Sequence, residues 1–137
     1  LRVRDLEGNT GDWKLKGDIV NGGHDTRSRS QLHTKARQIL YRLFPTSMII
    51  EEILINPRPR VNQYLDFFIN GIKLVVEVNG AQHYKFNALF HTSSQDFLNQ
   101  KKRDNDKEEW CKLNGLTFIA LPYNESEEQW ETRILNR

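Results

Sequence analysis

Asp66 and Glu77 stand in apolar runs on either side of Asn70-Gly71. Asn-Gly between alternating apolar residues is the strongest short-range hairpin signal, so Tyr64 to Ile69 and Ile72 to Val78 are expected to pair as antiparallel strands. A two-residue turn sets Ile69 against Ile72, Asp66 against Val75 and Tyr64 against Glu77. One face of the hairpin then carries Leu65, Phe67, Ile69, Ile72, Leu74, Val76 and Val78, and the other Tyr64, Asp66, Phe68, Lys73, Val75 and Glu77. On the second face the two acids are diagonal neighbours, their backbones roughly 7–8 Å apart. Carboxylates that close, beside Val75 and Phe68, are costly unless a positive charge sits between them. A hard divalent ion, Mg2+ or Mn2+, takes oxygen ligands and suits such a pair. The alternative is a solvated sheet face on which both are ordinary surface acids.

The second strand runs on as Glu77-Val78-Asn79-Gly80-Ala81-Gln82-His83. With Asp66, this segment resembles the PD-(D/E)XK nuclease superfamily, whose signature is an acid on one strand and Glu-x-Lys on the next. It is most similar to the branch holding very-short-patch-repair endonucleases and phage-type EDxHD homing endonucleases. There an apolar strand ends in a Glu-x-x-Gly-x-x-His-like segment, and a helix and strand follow, here Arg103-Asp104 through Leu113-Asn114-Gly115. The resemblance extends from about Ser30 to Glu125.

The resemblance implies a restriction-endonuclease-like α/β sandwich and a metal-dependent DNA endonuclease, site-specific and homing-type. Asp66 and Glu77 would hold Mg2+ (or Mn2+), with the Val78 carbonyl as third ligand and His83 as base or proton carrier. A histidine suits that role because its reference pKa is about 6.5, although a structural histidine at a strand exit is the plainer alternative. Asn79 replaces the lysine of Glu-x-Lys, so either Gln82, His83 or Lys85 positions the water or catalysis is weaker. The EDxHD pattern also implies an acid before Asp66 and one after His83; Glu52 or Glu51, and Asp104, are the available positions. His24, His33 and His91 show no partner pattern and are expected on the surface or facing DNA.

The elements around the hairpin follow from periodicity and punctuation. Residues 1–27 suggest an N-terminal arm or small hairpin around Gly8-Asn9 and Gly11, and residues 28–137 the nuclease-like domain. Ser28 with Gln31 forms a capping box for an amphipathic helix through Leu32, Ala36, Ile39, Leu40 and Leu43, with a basic outer face. Met48 to Ile55 is a β-branched strand ended by Asn56-Pro57-Arg58-Pro59. Ser93-x-x-Asp96 caps a long polar helix that runs to Asn114, with Gly115 at the stop. Leu116 to Leu121 is a fourth strand, and Ser126-x-x-Gln129 caps a last helix bearing Trp130 and Ile134. The order predicts a mixed sheet of about four strands flanked by helices, the last two strands made parallel by the crossover helix.

At 137 residues the chain has the size of one domain, and its single cysteine, Cys111, excludes an internal disulfide and any multi-cysteine zinc site. No apolar run approaches a membrane span, so a soluble, intracellular protein is expected, phage-encoded in a bacterial host if the resemblance holds. Net charge is only +2, but Lys and Arg cluster in Arg27 to Arg42, Arg58 to Arg60 and Lys101 to Lys107. Arg27, Arg29, Lys35 and Arg37 on the first helix region, and Lys101, Lys102 and Arg103 on the second, are the expected contacts to the phosphates of double-stranded DNA. Double-strand cutting by one such site implies a homodimer or sequential nicks. A nicking repair or junction-resolving nuclease uses the same site, and a non-catalytic DNA-binding module is the remaining alternative. No phosphate-binding glycine loop or nucleophile elbow supports another enzyme class.

Overall fold

The computed structural model describes residues 1–20, 30–80 and 93–137. In chain order its elements are β1 (Arg2–Arg4), β2 (Thr10–Asp12), α1 (Gln31–Leu43), β3 (Ile49–Ile55), β4 (Gln63–Ile69), β5 (Leu74–Asn79), α2 (Ser94–Leu113), β6 (Thr117–Pro122) and α3 (Glu127–Leu135). Strands β3-β4-β5-β6 form one mixed sheet in that order, antiparallel except for the β5–β6 pair. That pair is parallel because α2 returns the chain to the starting end of the sheet. Among the described residues no helix is long and apolar enough to cross a membrane.

Helices α1 and α3 cover one face, where Ala36, Ile39, Leu40, Trp130 and Ile134 pack on Phe67, Ile69, Leu74 and Val76. Helix α2 and the N-terminal arm cover the other, where Trp110, Cys111 and Trp13 pack on Phe68 and Val75. The second face is therefore not a solvated surface. The arm is part of this layer: the Trp13 ring lies 4.8 Å from Phe68 and 5.1 Å from Trp110, and its Nε1 donates to the Leu54 carbonyl at 2.9 Å. Asp18 exchanges two backbone hydrogen bonds with Glu51, which occupies the outer edge of β3. The approach requires Gly17, where an added Cβ would stand 2.5 Å from Ile50 Cγ2 and 2.8 Å from the Glu51 carbonyl.

The caps decide where the helices begin. Ser93 and Ser126 accept from the backbone of Asp96 and Gln129, and Gln129 returns the bond in a full capping box. Helix α1 begins at Gln31 with Ser30 as its cap, accepting from His33 N at 3.1 Å; the expected cap, Ser28, lies outside the described residues. Gly115 ends α2 with φ +71°, the left-handed geometry that glycine adopts at no steric cost.

The β4–β5 turn corrects the expected register. Asn70–Ile72 is a 3-10 turn, and Lys73 closes it with φ 54° while its Nζ donates to Asn70 Oδ1 at 2.7 Å. The loop thus spans Asn70 to Lys73, and Ile69 pairs with Leu74, Phe68 with Val75 and Phe67 with Val76. A shift of two residues between the strands does not by itself exchange their faces, but it brings Asp66 directly opposite Glu77 instead of diagonal to it.

A second correction concerns the apolar face. Glu52 has φ 49° and sits opposite Asp66 on β3, between the pairs Glu51–Phe67 and Ile53–Leu65. Alternation reverses there: Ile49 and Phe67 face α1, whereas Ile53, Ile55 and Leu65 face α2. Leu65 is thus parted from Phe67, and Ile72 is exposed in the turn.

Candidate active site

The β4–β5 ladder stops at Phe67–Val76, and the next facing positions are Asp66 and Glu77. There side chains take the place of backbone pairing. The Asp66 N–H donates to Glu77 Oε2 at 2.9 Å, and the Val78 N–H donates to Asp66 Oδ2 at 2.8 Å. Each acid thus bridges to the opposite strand where the two strands part, at the level of the Glu52 kink.

The third member comes from α2. Lys107 Nζ donates to Glu77 Oε1 at 2.9 Å, and Glu77 is only 6% exposed. Lys107 precedes the buried Trp110 and Cys111 by one turn, so helical spacing puts it on the inner stripe of α2. Burial, then the charge of Glu77, then a hydrogen bond between the two carboxyl groups raise the Asp66 pKa well above the usual carboxylate value. The Val78 N–H and Lys107 oppose this without offsetting it. Burial alone would lower the Lys107 pKa, but the charge and hydrogen bond of Glu77 reverse that and raise it.

Beside the trio is a cavity of about 160 Å³, lined by Glu77, Asn79, Asp104, Lys107, Glu108 and Phe118. Of the expected accessory residues, Asn79 and Asp104 therefore border the site. Glu51 does not: it is fully buried on the α1 side, where His33 Nε2 lies 2.7 Å from Oε1 and Arg37 Nε donates to Oε2 at 2.8 Å. Burial alone would raise its pKa, yet the hydrogen bonds from His33 and Arg37 and the charge of Arg37 hold it below the usual value.

That cluster corrects two further expectations. His33 is stacked on Phe67, ring centroids 4.5 Å apart, and does not face solvent. Arg37 is 6% exposed and committed to Glu51, so it is no phosphate contact. Lys35 is engaged as well, its Nζ 4.1 Å from the Trp130 ring centroid and donating to the Glu125 carbonyl. Lys102 and Arg103 are exposed on α2, with Lys101 partly buried beside Phe97. Gln82, His83, Lys85, Arg27 and Arg29 lie outside the described residues.

Lys107 is the residue that sequence reasoning missed. Its signal was the spacing Asp106-Lys107…Trp110-Cys111, which sets a lysine on the stripe of a helix that must be buried.

Among the described residues no group of three or more His, Cys, Asp or Glu side chains converges as a metal site. The fold and site define an α/β protein in which a half-buried aspartate, a buried glutamate and a lysine are set where two strands separate. The chain belongs to the same family as uncharacterized protein 094L of frog virus 3 (isolate Goorha), to which it is 30% identical over 108 residues, 75% of this chain and 68% of that protein. It is also 38% identical over 107 residues to uncharacterized protein 033L of invertebrate iridescent virus 3, and 45% identical over 62 residues to uncharacterized protein 307L of invertebrate iridescent virus 6. The matches take in 77% and 45% of this chain, which spans 55% and 32% of those two relatives. No family model and no solved structure matches the chain.

Proposed function

We propose that the chain is a divalent-metal-dependent nuclease that hydrolyses phosphodiester bonds in double-stranded DNA, with a PD-(D/E)XK-like site on a restriction-endonuclease-like sandwich. The observation that carries the reading is the reciprocal bridge between Asp66 and Glu77 at a parting of strands, with Lys107 on Glu77. Two carboxylates pressed together, Glu77 buried and Asp66 half-buried, are unfavourable as a structural device. They become favourable when a cation sits between them.

The donor set fits Mg2+ or Mn2+, which bind through one or two carboxylates and leave positions for water and substrate phosphate. Asp66 and Glu77 would hold the ion, with the Val78 carbonyl as an added oxygen. Bound there, it supplies a Lewis acid against the charge that develops on the phosphate. Lys107 provides the fixed cation that Asn79 cannot: its ammonium orients Glu77 and neutralises negative charge in the adjoining cavity. Arg103, Lys102 and Lys101 on the same helix give the DNA backbone a path toward the site.

The test is cleavage of supercoiled plasmid with Mg2+, with Mn2+ and with chelator alone. Metal-dependent nicks or breaks that Lys107→Met reduces by on the order of a hundredfold support the reading. Equal cutting in chelator, or by the variant, contradicts it.

A further inference from the structure

Gln63, the first residue of β4, is 6% exposed, and among the described residues neither its amide nitrogen nor its amide oxygen has a hydrogen-bond partner. Buried amides are almost always paired, because an unmet donor and acceptor each forfeit their hydrogen bonds with water. Gln63 lines a groove of about 290 Å³ with Tyr64, Gln100, Arg103, Asp104 and Lys107. Asp104 and Lys107 also line the cavity beside Glu77, so the groove adjoins the proposed active site.

We propose that this groove is a nucleobase subsite next to the scissile phosphate, in which Gln63 reads the edge of the base. The proposal rests on the nuclease reading for its place in the reaction. A side-chain amide presents a donor and an acceptor side by side, matching adjacent acceptor and donor groups on a base; adenine N7 and N6 form the best-matched edge. Both amide atoms are inaccessible as they stand, but the outer torsion of glutamine is broad and roughly two-fold, so a rotation about it can present the amide to the groove. Tyr64, 54% exposed on the rim, offers a ring for stacking on a base turned out of the duplex, and the exposed Arg103 offers a cation for the attached phosphate.

The experiment follows the Gln63 side-chain amide signal by NMR, assigned by its disappearance in Gln63→Met. The metal-free chain is titrated with dAMP, dCMP, dGMP, dTMP and inorganic phosphate. dAMP is expected to move the Gln63 signal saturably and more than the other nucleotides or phosphate, and Gln63→Met is expected to bind dAMP about tenfold more weakly. Tyr64→Ala, a change at an exposed position that leaves the core intact, should weaken dAMP as well. A Gln63 signal that no nucleotide moves, or dAMP affinity unchanged in Gln63→Met, overturns the subsite. Failure of the nuclease reading leaves a different mark: uncut plasmid with an intact dAMP response.

Discussion

Lys107 Nζ lies 2.9 Å from Glu77 Oε1, so a helix that follows the hairpin in sequence delivers the counter-charge for an acid on its second strand. Lys107→Met would leave Glu77 buried beside Asp66 with no cation. The expected loss of stability is at most roughly 3–5 kcal/mol, reduced because the Lys107 side chain is itself 20% exposed. Urea denaturation of the parent, Lys107→Met and Lys107→Arg checks this, with arginine recovering most of the loss.

Asp66 should make the metal-free protein less stable as pH rises. Its raised pKa means that the folded chain binds the proton more tightly than the unfolded chain does. Its contribution is fully present below the ordinary carboxylate value of 3.8 and is lost as pH rises through the raised one. Asp66→Asn should therefore melt higher than the parent near neutral pH without metal, and the difference should close in acid. Melting curves of both proteins across that range, with and without Mg2+, measure it.

Glu51 acts with the opposite sign. Held below the usual value by His33 and Arg37, it contributes stability that is present above 4.5 and lost as pH falls through its lowered pKa. Glu51→Gln removes the buried carboxylate that His33 and Arg37 share, so a loss of at most roughly 3–5 kcal/mol is expected near neutral pH. Denaturation of the variant at neutral and acid pH should show the gap to the parent narrowing in acid.

Cys111 is fully buried, and burial, with the charge of Glu77, pushes its thiol up to about 12. The native chain should react with thiol reagents only as fast as it opens. Labelling rates that match those of a free thiol would contradict the packing of α2 on the sheet.

The order of elements was legible because apolar periodicity and caps agree along most of the chain: Ser93, Ser126 and Gly115 stand where helices begin and end. The closeness of Asp66 and Glu77 was legible, though not their direct pairing, for a subtler reason. Asn70-Gly71 fits both a two-residue turn and the longer 3-10 turn, and the even shift between them leaves both acids on one face. The reversal at Glu52 left no mark, since a glutamate at positive φ is unusual and nothing in its neighbours requires it. His33 and Arg37 were read as surface because charged residues mostly are, yet they share the helical stripe of Ala36 and Leu40. Periodicity there outweighs residue type, as it does at Lys107.

The central claim is that Asp66 and Glu77 act together on the chemical step. Single-turnover cleavage at saturating Mg2+, for the parent, Asp66→Asn, Glu77→Gln and the double variant, tests it most directly. Both changes keep side-chain shape and remove the charge proposed to hold the cation, so each single variant should lose cleavage while DNA affinity persists. The double variant should be scarcely worse than either, because the acids work as a unit. Single-turnover rates within a few-fold of the parent for either variant would contradict the account and leave a DNA-binding module without this chemistry.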